Sequence, residues 1–143
     1  MLNQAEPTGT VRGLKATVPA AYTGRVYAVL VLWDLSTGSK MSITELRTYI
    51  REESMARFRE MPGLRQKTWI SDDASKRWGA LYIFETRAQA DDLVGHIATG
   101  RVARMTGLQP AVQQFEVEAV VEGQHSGVDL LTSGRALLIP SGE

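Results

Sequence analysis

Apolar positions along the chain change period several times, and each change marks an element. From Arg25 to Asp34 the run RVYAVLVLWD is β-branched, aromatic and apolar at consecutive positions, the pattern of a strand covered on both faces. After the loop STGSK, Ser42 and Glu45 form an S-x-x-E capping box, which predicts a helix from Ser42 to about Glu60. Ile43, Leu46, Ile50, Phe58 and Met61 roughly keep helical spacing, while Arg51, Glu52, Glu53, Arg57 and Arg59 take the wet side. Pro62-Gly63 ends that helix, because Pro cannot continue it. Two aromatic-bearing strands follow, joined by the polar turn Asp72-Asp73-Ala74-Ser75-Lys76. Thr86 and Gln89 then form a T-x-x-Q box that opens a second helix, from Arg87 to about Ala98, with Ala90, Leu93, Val94 and Ile97 inward. The stretch TGRVARMTG reads as a short helix or turn. Ala111 to Glu122 reads as a last strand, with Gln113, Phe115, Val117, Ala119 and Val121 on one face.

The order β, α, β, β, α, β predicts an α+β, ferredoxin-like sandwich: a four-stranded antiparallel sheet with both helices on one face. Such a sheet leaves its other face bare, and here that face is apolar. A homodimer packed sheet to sheet is therefore expected. Residues 1–24 read as an N-terminal extension and 25–122 as the domain. Residues 123–143 form a tail expected to pack on its own or the partner subunit, with Arg135 to Pro140 as a short extra strand or pocket cover.

The chain has 143 residues, enough for one domain that buries roughly 68–70% of its unfolded surface. Lys plus Arg and Asp plus Glu are 16 each, which removes any broad attraction to nucleic acid or to an anionic membrane. The absence of cysteine excludes disulfides, thiolate metal sites and Cys nucleophiles, and fits a reducing cytoplasm. No signal peptide or membrane span is expected, since the longest apolar run, Val26 to Trp33, is far too short. With His96 and His125 as the only histidines, a multi-histidine metal site within one chain is not expected. No phosphate loop, G-x-S-x-G elbow, H-E-x-x-H or flavin or nicotinamide fingerprint occurs, so no cofactor is expected.

Trp69, Trp78 and Tyr82 fall on paired strands beneath a helix, an arrangement that builds either a core or a pocket for an organic ligand. Tyr82 shares a strand face with Trp78, Ala80 and Phe84, and its hydroxyl is placed to meet a ligand carbonyl or phenolate. Trp33-Asp34 ends the first strand, where the carboxylate is either a solvated loop entry or a proton acceptor at a pocket mouth. His96 follows Asp92 by one helical turn: this is either a solvated pair or a base oriented by a carboxylate. Arg47, Arg57 and Arg65 are candidates for holding an anionic group, against the plainer reading of a helix's wet face.

The segment PGLRQKTWISDD…WGALYIFETRAQADDL resembles the YdhR-type monooxygenases of the antibiotic-biosynthesis-monooxygenase superfamily, the dimeric α+β barrels. The likeness rests on Pro62-Gly63, Lys67-x-Trp69, Gly79-x-x-Tyr82-x-Phe84 and Glu85-Thr86, and covers about residues 25–121. The family also tends to carry a His near the position of His96. The resemblance implies a homodimer and a small hydrophobic, oxygenated, polyketide-like substrate, handled by cofactor-independent oxygenation or by cyclisation or isomerisation. His96, Tyr82 and Asp92 would then be catalytic, and Trp33, Trp69, Trp78, Phe84 and Arg65 would bind substrate. Haem-degrading relatives use a Trp where this chain has Phe84-Glu85-Thr86, a departure that weighs against haem. The alternative is a dimeric protein that binds a hydrophobic metabolite without chemistry.

Overall fold

In the computed structural model, residues 24–124 and 134–138 are described. β1 (Tyr27–Asp34) is followed by a 3₁₀ turn at Leu35–Thr37 and by α1 (Ile43–Tyr49), a π turn (Ile50–Ser54) and α2 (Met55–Arg59). β2 (Leu64–Asp72) and β3 (Arg77–Phe84) lead to α3 (Arg87–Ile97), α4 (Arg101–Thr106) and β4 (Ala111–Glu116). The sheet is antiparallel in the order β2-β3-β1-β4, with the helices on one face: the chain is an α+β, ferredoxin-like sandwich.

The first helix starts where Ser42 accepts from the Glu45 amide while Glu45 reaches back to the Ser42 amide, so both halves of the box form. Midway it widens, as the Met55 amide bonds to the carbonyl of Ile50, five residues back. Ile50, Ser54 and Phe58 are all buried. Residues four apart drift by about 40° per step on an ordinary α-helix, and the wide turn offsets that drift, so the three stay on one face. At α3 only half of the second box forms. Thr86 accepts from the Gln89 amide, but the Gln89 carboxamide takes the Thr86 hydroxyl instead of its main-chain N–H.

Alternate residues of the central strands make the core. Val29 and Val31 of β1 are fully sealed, and Trp33, Ala80, Tyr82 and Phe84 nearly so, beneath Leu46, Phe58 and Ala90. Gly79 closes the β1–β3 pairing tightly: a Cβ there would collide with the main-chain carbonyl of Val31.

In the single chain Leu30 and Leu32 of β1, on the side away from the helices, are half-buried. Two expectations are corrected. β4 ends at Glu116, not Glu122. Among the described residues the last rung is the Val117 amide on the Val26 carbonyl, and Val120 and Val121 lie exposed. Arg135–Leu137 is a 3₁₀ turn, not a strand. It is held at the surface by Arg51, which donates to the Ala136 carbonyl (2.7 Å), and by the Arg135–Asp73 ion pair (3.3 Å). The extension 1–23 and residues 125–133 and 139–143 lie outside the described residues.

Candidate active-site cavity

Between the helix-facing side of the sheet and the helices lies a cavity of about 580 Å³. β3 supplies its floor through Trp78, Ala80, Tyr82 and Phe84, which alternate along the strand. Register brings the neighbours: Trp33 opposite Trp78 on β1, and Lys67 and Trp69 opposite Tyr82 and Ala80 on β2. Ser54, Arg57 and Phe58 line it from the first helix, Asp92 and His96 from α3, and Arg101 and Val102 from α4. Phe58 meets Trp69 and Tyr82 edge-on, at 6.1 and 5.9 Å between ring centres, and Tyr82 stacks on Phe84 at 6.0 Å. These are favourable separations for ring pairs, so the walls are mutually braced.

Of the polar groups that line this space, the most unusual is Lys67. Its Nζ lies 3.2 Å from the centre of the Phe58 ring, 4.5 Å from that of Trp69 and 4.6 Å from that of Tyr82. No carboxylate pairs with it among the described residues, while Arg57 lies over the same Phe58 ring at 4.6 Å. Ring faces favour an ammonium by about 0.5–2 kcal/mol each. Removing an ion from water costs several kcal/mol, and the Arg57 charge adds to that cost. Burial first and Arg57 second hold the Lys67 amine well below the usual lysine range.

Tyr82 is shifted the other way. Burial pushes its phenol above the ordinary tyrosine range, the Arg57 charge only partly opposing this and Tyr49 adding to it, so Tyr82 stays protonated and can donate. Arg57 is itself fixed by donating to the Tyr49 hydroxyl at 2.9 Å. The Trp33 indole N–H has no partner among the described residues.

His96 lines the cavity from its rim, with three-quarters of its side chain exposed. Its Nδ1 lies 2.7 Å from the Asp92 carbonyl oxygen and 3.6 Å from the Asp92 carboxylate. A carbonyl only accepts, so Nδ1 carries the hydrogen and Nε2 is left open in the neutral ring. The main chain therefore orients this imidazole more closely than the carboxylate does.

Seven of the eight site residues picked from the sequence line this one cavity: His96, Tyr82, Asp92, Trp33, Trp69, Trp78 and Phe84. Arg65 does not. The β2–β3 pairing skips from Leu64 to Gln66, so Arg65 is the extra residue of a bulge and is exposed. Arg47 bonds to Asp73 (3.1 Å) and lines a second cavity of about 540 Å³, beside Ile50, Met55 and Arg135–Leu137. Asp34 is an exposed cap of the 3₁₀ turn, and its hydrogen bonds from the Ser36 side chain and amide hold its carboxyl below the usual range. Among the described residues, no group of three or more His, Asp or Glu is placed to hold a metal, and no helix is long and apolar enough to cross a membrane.

The family described as "Putative mono-oxygenase ydhR" matches residues 36–127, a span that holds every wall of the cavity except Trp33. The chain belongs to the YdhR family. No curated protein matches it significantly. Among solved structures, this YdhR-family chain is similar to the NE2512 protein of unknown function from Nitrosomonas europaea (15% identity, TM-score 0.47, 69% of this chain and 95% of that one). It is also similar to Rv0793 from Mycobacterium tuberculosis (14%, 0.44, 69% and 98%). An EthD-like protein from Ralstonia eutropha is a third (18%, 0.46, 70% and 96%).

Sequence reasoning missed the cavity role of Lys67. The available signal was its position two residues before Trp69, which puts both on one strand face.

Proposed function

We propose that this YdhR-family protein is a cofactor-independent tailoring enzyme for a flat, hydrophobic, oxygenated small molecule of polyketide type. The observation that carries this reading is the braced aromatic cavity of about 580 Å³, with a few polar groups at its floor and rim. The reaction is monooxygenation, or a proton-transfer cyclisation or isomerisation of the same kind of ring system. In the oxygenation, an ionised phenol or enol supplies electrons to dioxygen. One oxygen atom converts a ring CH₂ to C=O, and the other leaves as water with the two hydrogens. The walls orient the ring and keep water away, Tyr82 donates to a substrate oxygen, and His96, oriented by Asp92, exchanges protons at the mouth. Trp33, Trp69, Trp78 and Phe84 contact the ring faces. Arg65, at its bulge outside the wall, has no part in this scheme.

The working form is a homodimer joined through the open sheet face, where Ile70 and Phe115 are 40% and 52% exposed beside half-buried Leu30, Leu81 and Ile83. The balanced charge supports a free small molecule in the cytoplasm as the ligand, with neither nucleic acid nor membrane as a partner.

The test is oxygen uptake with hydroxylated anthrones, together with mass analysis of the products. One O₂ consumed per CH₂ converted supports oxygenation, and an isomeric product without uptake supports cyclisation or isomerisation. The second reading, a binding protein without chemistry, is favoured by the exposure of His96, and binding with neither outcome would establish it. Failure of any such compound to bind rejects both.

A further inference from the structure

The Lys67 cage is a feature that the scheme above leaves unused. An ammonium inside a domain is ordinarily matched by a carboxylate, and here none pairs with it among the described residues. The titratable or charged groups around the cavity are Arg57 from α2, Tyr82 from β3, Asp92 and His96 from α3, and Arg101 from α4, and the second cavity, which Lys67 also lines, adds Arg47 and Arg135. Two of these, Arg57 and Tyr82, share the rings that hold Lys67. The part of the cavity around Phe58 thus offers a cation, an amine and a phenol donor, all suited to an oxygen that gains negative charge.

We propose that Lys67 receives the substrate's proton: its Nζ, held over Phe58, Trp69 and Tyr82 beside Arg57, takes the hydrogen of a bound phenol or enol and remains, as an ammonium, against the oxyanion it has made. This rests on reading the cavity as the substrate site, and it narrows the substrate class to flat rings with an acidic hydroxyl. In the transfer an O–H bond breaks and an N–H bond forms, and both electrons of the O–H bond stay on oxygen. The lowered basicity of the caged amine favours the neutral form that the transfer needs, and the ion pair formed afterwards has the counter-charge that no described carboxylate supplies. Tyr82 supplies a second donor to the same oxygen, and Arg57 keeps the local potential positive. His96, at the rim, then exchanges protons with water.

The probe is 2-hydroxyanthraquinone, a flat phenol whose absorption moves to the red on ionisation. Bound to the full-length protein, it should ionise at least about one pH unit below its free value, about a tenfold shift in the equilibrium. Lys67→Met should bind the probe but abolish the shift. Calorimetry in buffers of different ionisation enthalpy then counts protons. The wild type, whose amine keeps the proton, should release none on binding, whereas Lys67→Arg, a permanent cation, should release about one per phenolate bound. If Lys67→Met does not fold, the comparison of wild type with Lys67→Arg still decides. A probe bound to the wild type as neutral phenol, or a wild type that releases as much as Lys67→Arg, overturns the proposal and leaves the cavity reading intact. No binding by any of the three proteins overturns both.

Discussion

Lys67 of β2 and Phe58 of α2 meet with the amine nitrogen 3.2 Å from the ring centre, so a titratable group forms part of the seam between sheet and helices. Its basicity is lower in the folded chain than in the unfolded one, chiefly through burial. Between the lowered folded value and the ordinary value near 10.4, the unfolded state binds more protons, so this side chain makes stability rise with pH across that window. Below the window its charge is a full burden. Lys67→Met should therefore melt higher than wild type near pH 7, with the gap closing as pH approaches about 10. Melting curves across that range check this, and a gap that does not change with pH means that the amine titrates alike in both states.

His96 contributes little packing, and its exposed pair with Asp92 is worth at most about 1 kcal/mol. His96→Ala should leave the melting temperature within a degree or two. On the oxygenated substrate it should lower turnover by about 10²-fold, the lower end of what acid–base assistance provides. Full turnover in that variant would mean that protons leave the cavity without it.

Tyr82→Phe removes one hydroxyl from a buried, stacked ring. Ligand affinity should fall by roughly 1 kcal/mol, about fivefold, with the fold retained. Titration of the phenolic probe followed by tryptophan fluorescence measures it. Equal affinity would show that the hydroxyl does not meet the ligand.

Phe115 is half exposed on the open sheet face, opposite Ala28 of β1. Light scattering at micromolar concentration should give a dimer, and Phe115→Lys should shift it towards monomer. A wild-type monomer would leave that apolar face to another partner.

Gly79 has no room for a side chain against Val31. Gly79→Ala should cost about 1–3 kcal/mol, or several degrees of melting temperature in a domain of this size. An unchanged melting curve would mean that β1 and β3 separate easily at this rung.

Features set by neighbours along the chain were legible in the sequence. The Ser42–Glu45 box needs only four residues and forms as read, and the alternation of Trp78, Ala80, Tyr82 and Phe84 is a property of any extended strand. What failed depended on partners elsewhere. β4 stops level with the start of β1, a limit set by the partner strand that no pattern within Ala111 to Glu122 could reveal. Arg65 is a candidate binder by its residue type alone, and the bulge in the β2–β3 pairing turns it out of the wall. Lys67 acquires its surroundings only because Phe58, from a helix ended by Pro62-Gly63, folds back over it.

The wide turn at Ile50–Ser54 has the form of a single residue inserted into an otherwise regular helix. That makes the helical side of the cavity tolerant of changes in chain length. One residue could be dropped there to restore ordinary winding, altering the patch around Ser54 while Arg57 and Phe58 hold their places. The paired strands opposite have no such slack, because a one-residue slip turns every side chain to the other face. Variation in what this cavity accepts can thus arise by insertion and deletion in the helix, with the floor of β2 and β3 changing only by substitution.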